Sequence, residues 1–323
     1  MQRRQFLQAT IAAVTGLVSP AAWAQSYPSK PVRVIVPFAP GGPTDVAARL
    51  IAQKLSDNLG RQFFVENVAG ASSNIGTAQA AKAASDGHTL LITVNNLVIN
   101  PALFEKVAFD PYRDFEPVVL AVGFPTALAV HPSVPAKTVK ELVDYIKANV
   151  GKFNFASPGL GTPSHLLGEQ FRMTLGLDLV HVPFGGSGPA ITSVVAGHTP
   201  IGFASLSTAV PLAREGKLRV LATMSPNASG SLPDVPTIAA AGYPGLDGDG
   251  WVGVLVPAGT RKDIITLLNR EIVRIIALPE LKERFASLGL DPVGGTPEQF
   301  GQQMRAEGEK WAKVIRAAGI KAE

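Results

Sequence analysis

The chain has 323 residues, 46% of them apolar and 17% charged, a composition that supplies two cores of ordinary domain size and excludes a mainly disordered chain. It contains no cysteine, which excludes disulfide scaffolds, thiolate zinc sites, iron–sulfur clusters and cysteine nucleophiles together. The formal net charge is +4, yet Arg3 and Arg4 hold two of the 29 basic side chains and the other 27 face 25 acids without any basic run, so nucleic acid is not an expected partner.

Residues 1–24 open with that arginine pair, pass through an apolar stretch from Ile11 to Val18 and a helix-breaking Pro20, and end Ala22-Trp23-Ala24. This is the pattern of an export leader. The small residues at 22 and 24 suit a signal peptidase, and the apolar stretch is shorter than the roughly 20 residues of a membrane span. Cleavage after Ala24 and a mature protein in the periplasm are expected, with an N-terminal anchor as the alternative. Arg3-Arg4 followed by Phe6-Leu7 is similar to a twin-arginine signal, from which Gln2 and Gln8 depart.

Beyond the leader, short β-rich runs alternate with helical patterns. Val32 to Phe38 reads as a strand buried on both faces. A loop from Ala39 to Pro43, a helix from Thr44 to Leu59 stopped by Gly60, a strand from Phe63 to Glu66, a small-residue helix from Asn74 to Ala84 and a strand from Thr89 to Val94 follow. Val118 to Val130 is extended and apolar, broken at Pro125, and reads as a crossing between lobes, as does Trp251 to Val256. The second half repeats the alternation: helix Lys137 to Asn149, strand Phe153 to Ala156, helix Pro163 to Leu175, strand Leu179 to Val182, helix Pro189 to Ala196 and strand Ile201 to Ala204. The C-terminal part reads as helices from Lys262 to Ala277, Pro279 to Leu288 and Pro297 to Ala318. Such alternation predicts parallel α/β layers. Lobe 1 is expected over 25–124 with 247–323, and lobe 2 over 125–246. An internal echo matches Val36-Pro37-Phe38 and Gly41-Gly42 with Val182-Pro183-Phe184 and Gly185-Gly186.

Three loops between a strand and a helix have the composition of anion sites. Gly41, Gly42, Thr44 and Asp45 mark the first. Its glycines let backbone approach a ligand, and the first helical turn leaves amides unpaired with about half a positive charge. Asp45 can satisfy those amides itself, which makes a self-capped helix the alternative. Ser157, Gly159, Gly161 and Thr162 mark the second loop, where Pro163 suits a first helical turn and Thr162 an N-cap. A nucleotide fingerprint is approached there but lacks its third glycine, Ser164 standing in that place. The third loop, Pro183 to Pro189, brings Phe184 as an apolar wall and Gly185, with an ordinary turn as the alternative. A hydrolase would need a nucleophile with a base, and Ser164 beside His165 points about 100° away from it on a helix. His165 is therefore expected to pack beside the loop. The five histidines show no metal-ligand spacing, and no metal or cofactor is expected.

The chain resembles the extracytoplasmic solute receptors of tripartite tricarboxylate transporters, the Bug family. The resemblance rests on VPFAPGGPTDVAARL at 36–50, ENVAGASSNIG at 66–76, SDGHTLL at 85–91, FASPGLGTPSHL at 155–166, HVPFGGSGPA at 181–190, KLRVLAT at 217–223 and LPDVPTIAAAGYPG at 232–245, in that order and spacing. It implies a type II periplasmic-binding-protein fold of two Rossmann-like α/β lobes joined by two crossing strands, closing on a ligand by a hinge. It also implies a small organic carboxylate held between the Gly41–Asp45 and Ser157–Thr162 loops without a lysine or arginine, membrane transporter subunits as partners and a monomeric, non-enzymatic receptor. A ligand-sensing partner of a membrane sensor kinase is the alternative, and a secreted hydrolase a more distant one. Two departures bear on the far end of the ligand. Ser72 and Ser73 replace glycines of the family's G-A-G-G-x-I-G segment, and Ala204 stands where an aspartate is common. Without that acid a ligand ammonium has no partner, so non-aminated carboxylates are expected to be preferred.

Overall fold

The computed structural model describes residues 27–322; the expected leader and its cleavage site lie outside them. Strand β1 (Val32–Val36), nearly all of it buried, pairs in parallel with β2 (Phe63–Asn67) and β3 (Thr89–Val94), with α1 (Pro43–Leu59) and α2 (Asn74–Ala81) as crossovers. Helix α1 starts at a proline, whose missing N–H costs nothing there, and stops where Gly60 turns left-handed (φ 67°). After α3 (Asn96–Leu103) the chain enters β4 (Phe115–Phe124), then β5 (Thr126–Val130). Next come α4 (Val139–Ala148), β6 (Phe153–Ser157), α5 (Pro163–Thr174), β7 (Leu179–Pro183), α6 (Ser187–Val195), β8 (Ile201–Ser205), α7 (Leu206–Arg214) and β9 (Arg219–Thr223). The chain ends through β10 (Gly250–Pro257), α8 (Lys262–Ile276), α9 (Pro279–Ser287), β11 (Asp291–Gly294) and α10 (Pro297–Ala318). Among the described residues no helix is long and apolar enough to cross a membrane.

The strands form two sheets, ordered β11-β4-β10-β3-β1-β2 and β7-β6-β8-β5-β9. Each sheet contains the same design. Three parallel strands are followed by one antiparallel strand that has just crossed from the other half, β10 in the first sheet and β5 in the second. Val118 to Val130 is therefore two strands in two sheets. Pro125 separates them because it has no N–H to continue a ladder. The same comparison corrects the internal echo: β1 corresponds in position to β6, and β7 to β2, so Val36-Pro37-Phe38 and Val182-Pro183-Phe184 end non-equivalent strands.

Sheet 1 buries Val34, Leu90, Ile92 and Val254 against α1 and α8, and Ile35, Leu91 and Leu255 against Trp251, Phe300 and Met304 on its other face. In sheet 2, Phe155, Phe171 and Phe203 pack ring to ring at 5.5 and 5.7 Å between centroids. Ile99 and Leu103 of α3, with Trp311, Val314 and Ile315 of α10, also belong to this second core. Two elements expected in lobe 1 thus contribute apolar side chains to lobe 2.

Candidate functional site

The crossing at Pro125 fixes which edges of the sheets face each other. Strand β4 leaves sheet 1 at Phe124, paired with Gly250, and β5 enters sheet 2 at Thr126, paired with Ser205 at the C-terminal end of β8. The C-terminal ends of the parallel strands in both sheets therefore meet across the crossing, where α/β sheets place their ligands. On one side stand the loops after β1 and β2; on the other stand those after β6, β7 and β8.

In the first loop Asp45 is buried and already occupied. Its Oδ2 accepts from the Gly41 N–H (2.9 Å) and from Arg49 Nε (3.0 Å), and its Oδ1 accepts from Asn67 Nδ2 (2.8 Å). Burial pushes this carboxyl up, but hydrogen bonds from Arg49, Gly41 and Asn67 and the Arg49 charge outweigh it and hold the group below the usual carboxylate range. Asp45 thus braces the loop through these bonds. The Gly42 carbonyl accepts from Val46 N, and the Thr44 and Asp45 amides have no acceptor among the described residues. Thr44 is half-buried, and its hydroxyl has no partner among the described residues.

The second loop is built more tightly. Thr162 caps α5, its Oγ1 accepting from His165 N (3.3 Å) and donating to the Gly159 carbonyl (2.8 Å). Ser157 Oγ lies 2.7 Å from His181 Nε2 and accepts from Gly159 N (3.2 Å). Both hydroxyls bond within the protein, to the loop and to His181. The Leu160 and Ser164 amides have no acceptor among the described residues. Gly161 is required twice over: its φ is +72°, and a Cβ there would stand 2.2 Å from Leu103 Cδ2 of α3. At Gly159 (φ +144°) a Cβ would meet the Phe184 carbonyl at 3.2 Å, so the second and third loops touch. Phe184 packs on Ala156, Ala190 and Val194, and Gly185 is exposed.

His165 is 2% exposed and its Nδ1 accepts from Gly161 N at 3.0 Å, which requires the neutral ring. It stacks on His181 with 3.8 Å between centroids. Burial, then the His181 and Arg172 charges, push His165 down to about 3; burial pushes His181 down to about 4. His165 is thus packed beside the loop as an internal prop of it. Ser164 Oγ pairs with Thr126 Oγ1 (3.0 Å) rather than with a histidine. Ser157 and His181 have the spacing of a nucleophile and base, but Ser157 is fully buried and no carboxylate bonds His181 among the described residues.

Two further expected residues stand in contrasting surroundings. Ala204 is fully buried among Ala127, Ala129, Ile191 and Leu206, so its methyl lies in a core. Ser72 is exposed, and Ala71, Ser72 and Ser73 all have left-handed backbone, with φ of 46°, 51° and 79°. For residues with a Cβ that conformation costs of order 1–3 kcal/mol each. Arg49 was legible in principle, since it stands four residues after Asp45 on α1; Asn67 and His181 escaped sequence reading because nothing in their spacing couples them to Asp45 or Ser157, and the ends of the neighbouring strands β2 and β7 bring them there.

Thr162→Val is expected to lower stability by about 1 kcal/mol by deleting the cap, and Thr162→Ser to stay near wild type, both read from urea unfolding. A Thr162→Val protein as stable as wild type would show that the cap contributes nothing.

The carboxylate chemistry available here is that of two proline-started helices, α1 and α5, whose free amides and positive ends can hold an anion without a lysine or arginine. Residues 47–320 match the family model of the tripartite tricarboxylate transporter family receptor. The structure is similar to that of the periplasmic binding protein BugD, at 32% identity and a TM-score of 0.74, over 92% of this chain and 100% of that one. It is similar to an R. palustris protein solved with adipate, at 32% identity and a TM-score of 0.78, over 91% and 99% of the two chains. MatC from Rhodopseudomonas palustris, solved with bound malate, is 33% identical with a TM-score of 0.74, over 90% and 100%.

Proposed function

The chain belongs to the tripartite tricarboxylate transporter receptor family of solute-binding proteins, and from that premise we propose that it captures a small organic carboxylate between its lobes and delivers it to the membrane subunits of a transporter. In this reading residues 1–24 are an export leader removed after Ala24, and the receptor works as a monomer in the periplasm. The observation that carries the proposal is the pair of unpaired amide sets, Thr44 with Asp45 and Leu160 with Ser164, at the starts of α1 and α5 in different lobes. A carboxylate spanning them would draw the lobes together. Adipate and malate in similar proteins favour the same ligand class.

A preference for non-aminated carboxylates remains part of the proposal on a new basis. Asp45, the acid of the anchoring loop, is saturated by Arg49, Gly41 and Asn67 and offers little to a ligand ammonium. Titration calorimetry with adipate, malate, succinate and aspartate tests both points. At least one of the first three is expected to bind, to do so more tightly than aspartate, and to stabilise the protein by about 2.7 kcal/mol at 100 times its Kd. Thr44→Val is expected to weaken that binding by roughly 1.5–3 kcal/mol, about ten- to a hundredfold. Unchanged affinity in Thr44→Val would move the anchor elsewhere, and tighter aspartate binding would reverse the preference.

A further inference from the structure

The left-handed run Ala71–Ser73 follows Gly70 after the C-terminal end of β2, on the cleft side of sheet 1. Strain of this kind persists only where surrounding structure imposes it. The residue that imposes it is Asn100 of α3. Fully buried, it donates through Nδ2 to the Ser72 carbonyl and to Asn74 Oδ1, both at 2.7 Å, and so grips the run at its middle and just past its end. Its own Oδ1 is buried with no donor among the described residues, and the hydroxyls of Ser73 and of Thr77, one helical turn further on, are buried with no partner among them. Two unpaired hydroxyl donors beside one strained segment call for an acceptor, and a ligand carboxylate is one, although it cannot serve the acceptor Asn100 Oδ1. Helix α3 reaches further. Leu103, one turn beyond Asn100, fills the space beside Gly161 in the opposite anion loop. The strained segment and the second loop are thus tied to the same short helix.

Resting on the receptor reading above, we infer that Asn100 is a positioning residue for ligand selection. It locks residues 70–74 in the conformation that presents polar groups to the far end of a carboxylate anchored at the α1 and α5 amides, and so favours a ligand with a second carboxyl over one that ends in a methyl. Asn100 acts through the segment it holds. A purely architectural asparagine would affect both kinds of ligand alike.

The test compares affinities for matched probes, adipate with hexanoate and malate with 3-hydroxybutyrate, by titration calorimetry on the folded protein. Wild type is expected to favour the dicarboxylate of at least one pair by tenfold or more. Asn100→Ala is expected to reduce dicarboxylate affinity at least tenfold while changing that of the monocarboxylate less than threefold. Asn74→Ala, which removes one of the two acceptors from a partly exposed position, should cause a smaller loss of the same selective kind, and it decides the matter if Asn100→Ala fails to fold. Parallel losses for both members of a pair, or no change in either variant, would overturn the role of Asn100 and leave the receptor reading intact. A wild type that favours neither dicarboxylate overturns the selectivity inference alone. A wild type that binds none of the four probes overturns the receptor reading for these carboxylates, and with it this inference.

Discussion

Acidification from pH 7 to 4.5 is expected to cost the folded protein about 5 kcal/mol through the stacked pair His165 and His181 alone. Both rings are held neutral, His165 down to about 3 and His181 down to about 4 from the usual 6.5, chiefly by burial. The unfolded chain therefore binds more protons than the native one below pH 6.5. Stability is fully present above that value and drains as the pH falls toward 4. Each pH unit in that window costs about 1.4 kcal/mol per histidine, against a typical total stability of about 5–15 kcal/mol. The neighbouring charges do not rescue the pair. Glu169 Oε1 is 3.9 Å from His165 Nε2, but that carboxylate is engaged by Arg172 Nε and Nη2 at 2.9 and 2.6 Å. Protonation of His165 would also place an N–H against the Gly161 N–H and open the anion loop, so ligand affinity should fall over the same range. His165→Asn retains an acceptor near the Nδ1 position, and His181→Gln one near Nε2. The double variant should flatten the acid limb of a stability–pH curve measured by urea unfolding. A limb of unchanged steepness would mean that these rings are not the source of the acid sensitivity.

Asp249→Asn should act in the opposite direction and stabilise the protein at pH 8 by about 1–3 kcal/mol. This acid sits at the second crossing, just before β10, where Ser225 Oγ donates to its Oδ2 at 2.8 Å while its Oδ1 is buried with no partner among the described residues. Burial is the main cause that raises it to about 6; the Asp291, Glu307 and Asp247 charges add to this and Ser225 offsets part of it. The native state here holds its proton more tightly than the unfolded chain. The contribution is therefore complete below the usual 3.8 and is lost as the pH rises through about 6. Between pH 7 and 4.5 it returns about 2 kcal/mol, which offsets part of the histidine loss. Melting curves of wild type and Asp249→Asn should diverge at pH 8 and converge near pH 4, and a variant less stable than wild type at pH 8 would show that the ionised carboxylate is well solvated.

The same crossing carries a buried network that strengthens this sensitivity. Glu307 of α10 accepts from Trp251 Nε1 (2.8 Å), Asn95 Nδ2 (2.7 Å) and Gln303 Nε2 (2.9 Å), yet burial still pushes its carboxyl up. Asn95, at the end of β3, also accepts from Trp251 N at 2.7 Å. Strand β10 is thereby fastened to α10 at the point where the chain returns from lobe 2.

The amino-acid sequence by itself determined the alternation of strands and helices and the positions of the glycine loops. Those features rest on local physics: buried strands need continuous apolar runs such as Val32–Val36, and helices α1 and α5 can begin at Pro43 and Pro163 because a first turn needs no N–H. Its motifs also carried the resemblance to the receptor family that the matched family model shows. Helices α3 and α7 and strands β9 and β11 were not legible. Helix α3 is buried nearly all round and contains Pro101, and α7 contains Pro211, so neither offers the clean polar stripe that marks a surface helix. The site divides in the same way. That the Gly41–Asp45 and Ser157–Thr162 segments open helices is local and could be read directly. Which of their groups remain free for a ligand depends on partners remote in sequence: Asn67 takes up Asp45 together with the nearby Arg49, His181 takes up Ser157, and the core of sheet 2 takes up Ala204. Only the tertiary structure decides these, because strand order brings residues together and no periodicity within a segment records which strand will lie beside it.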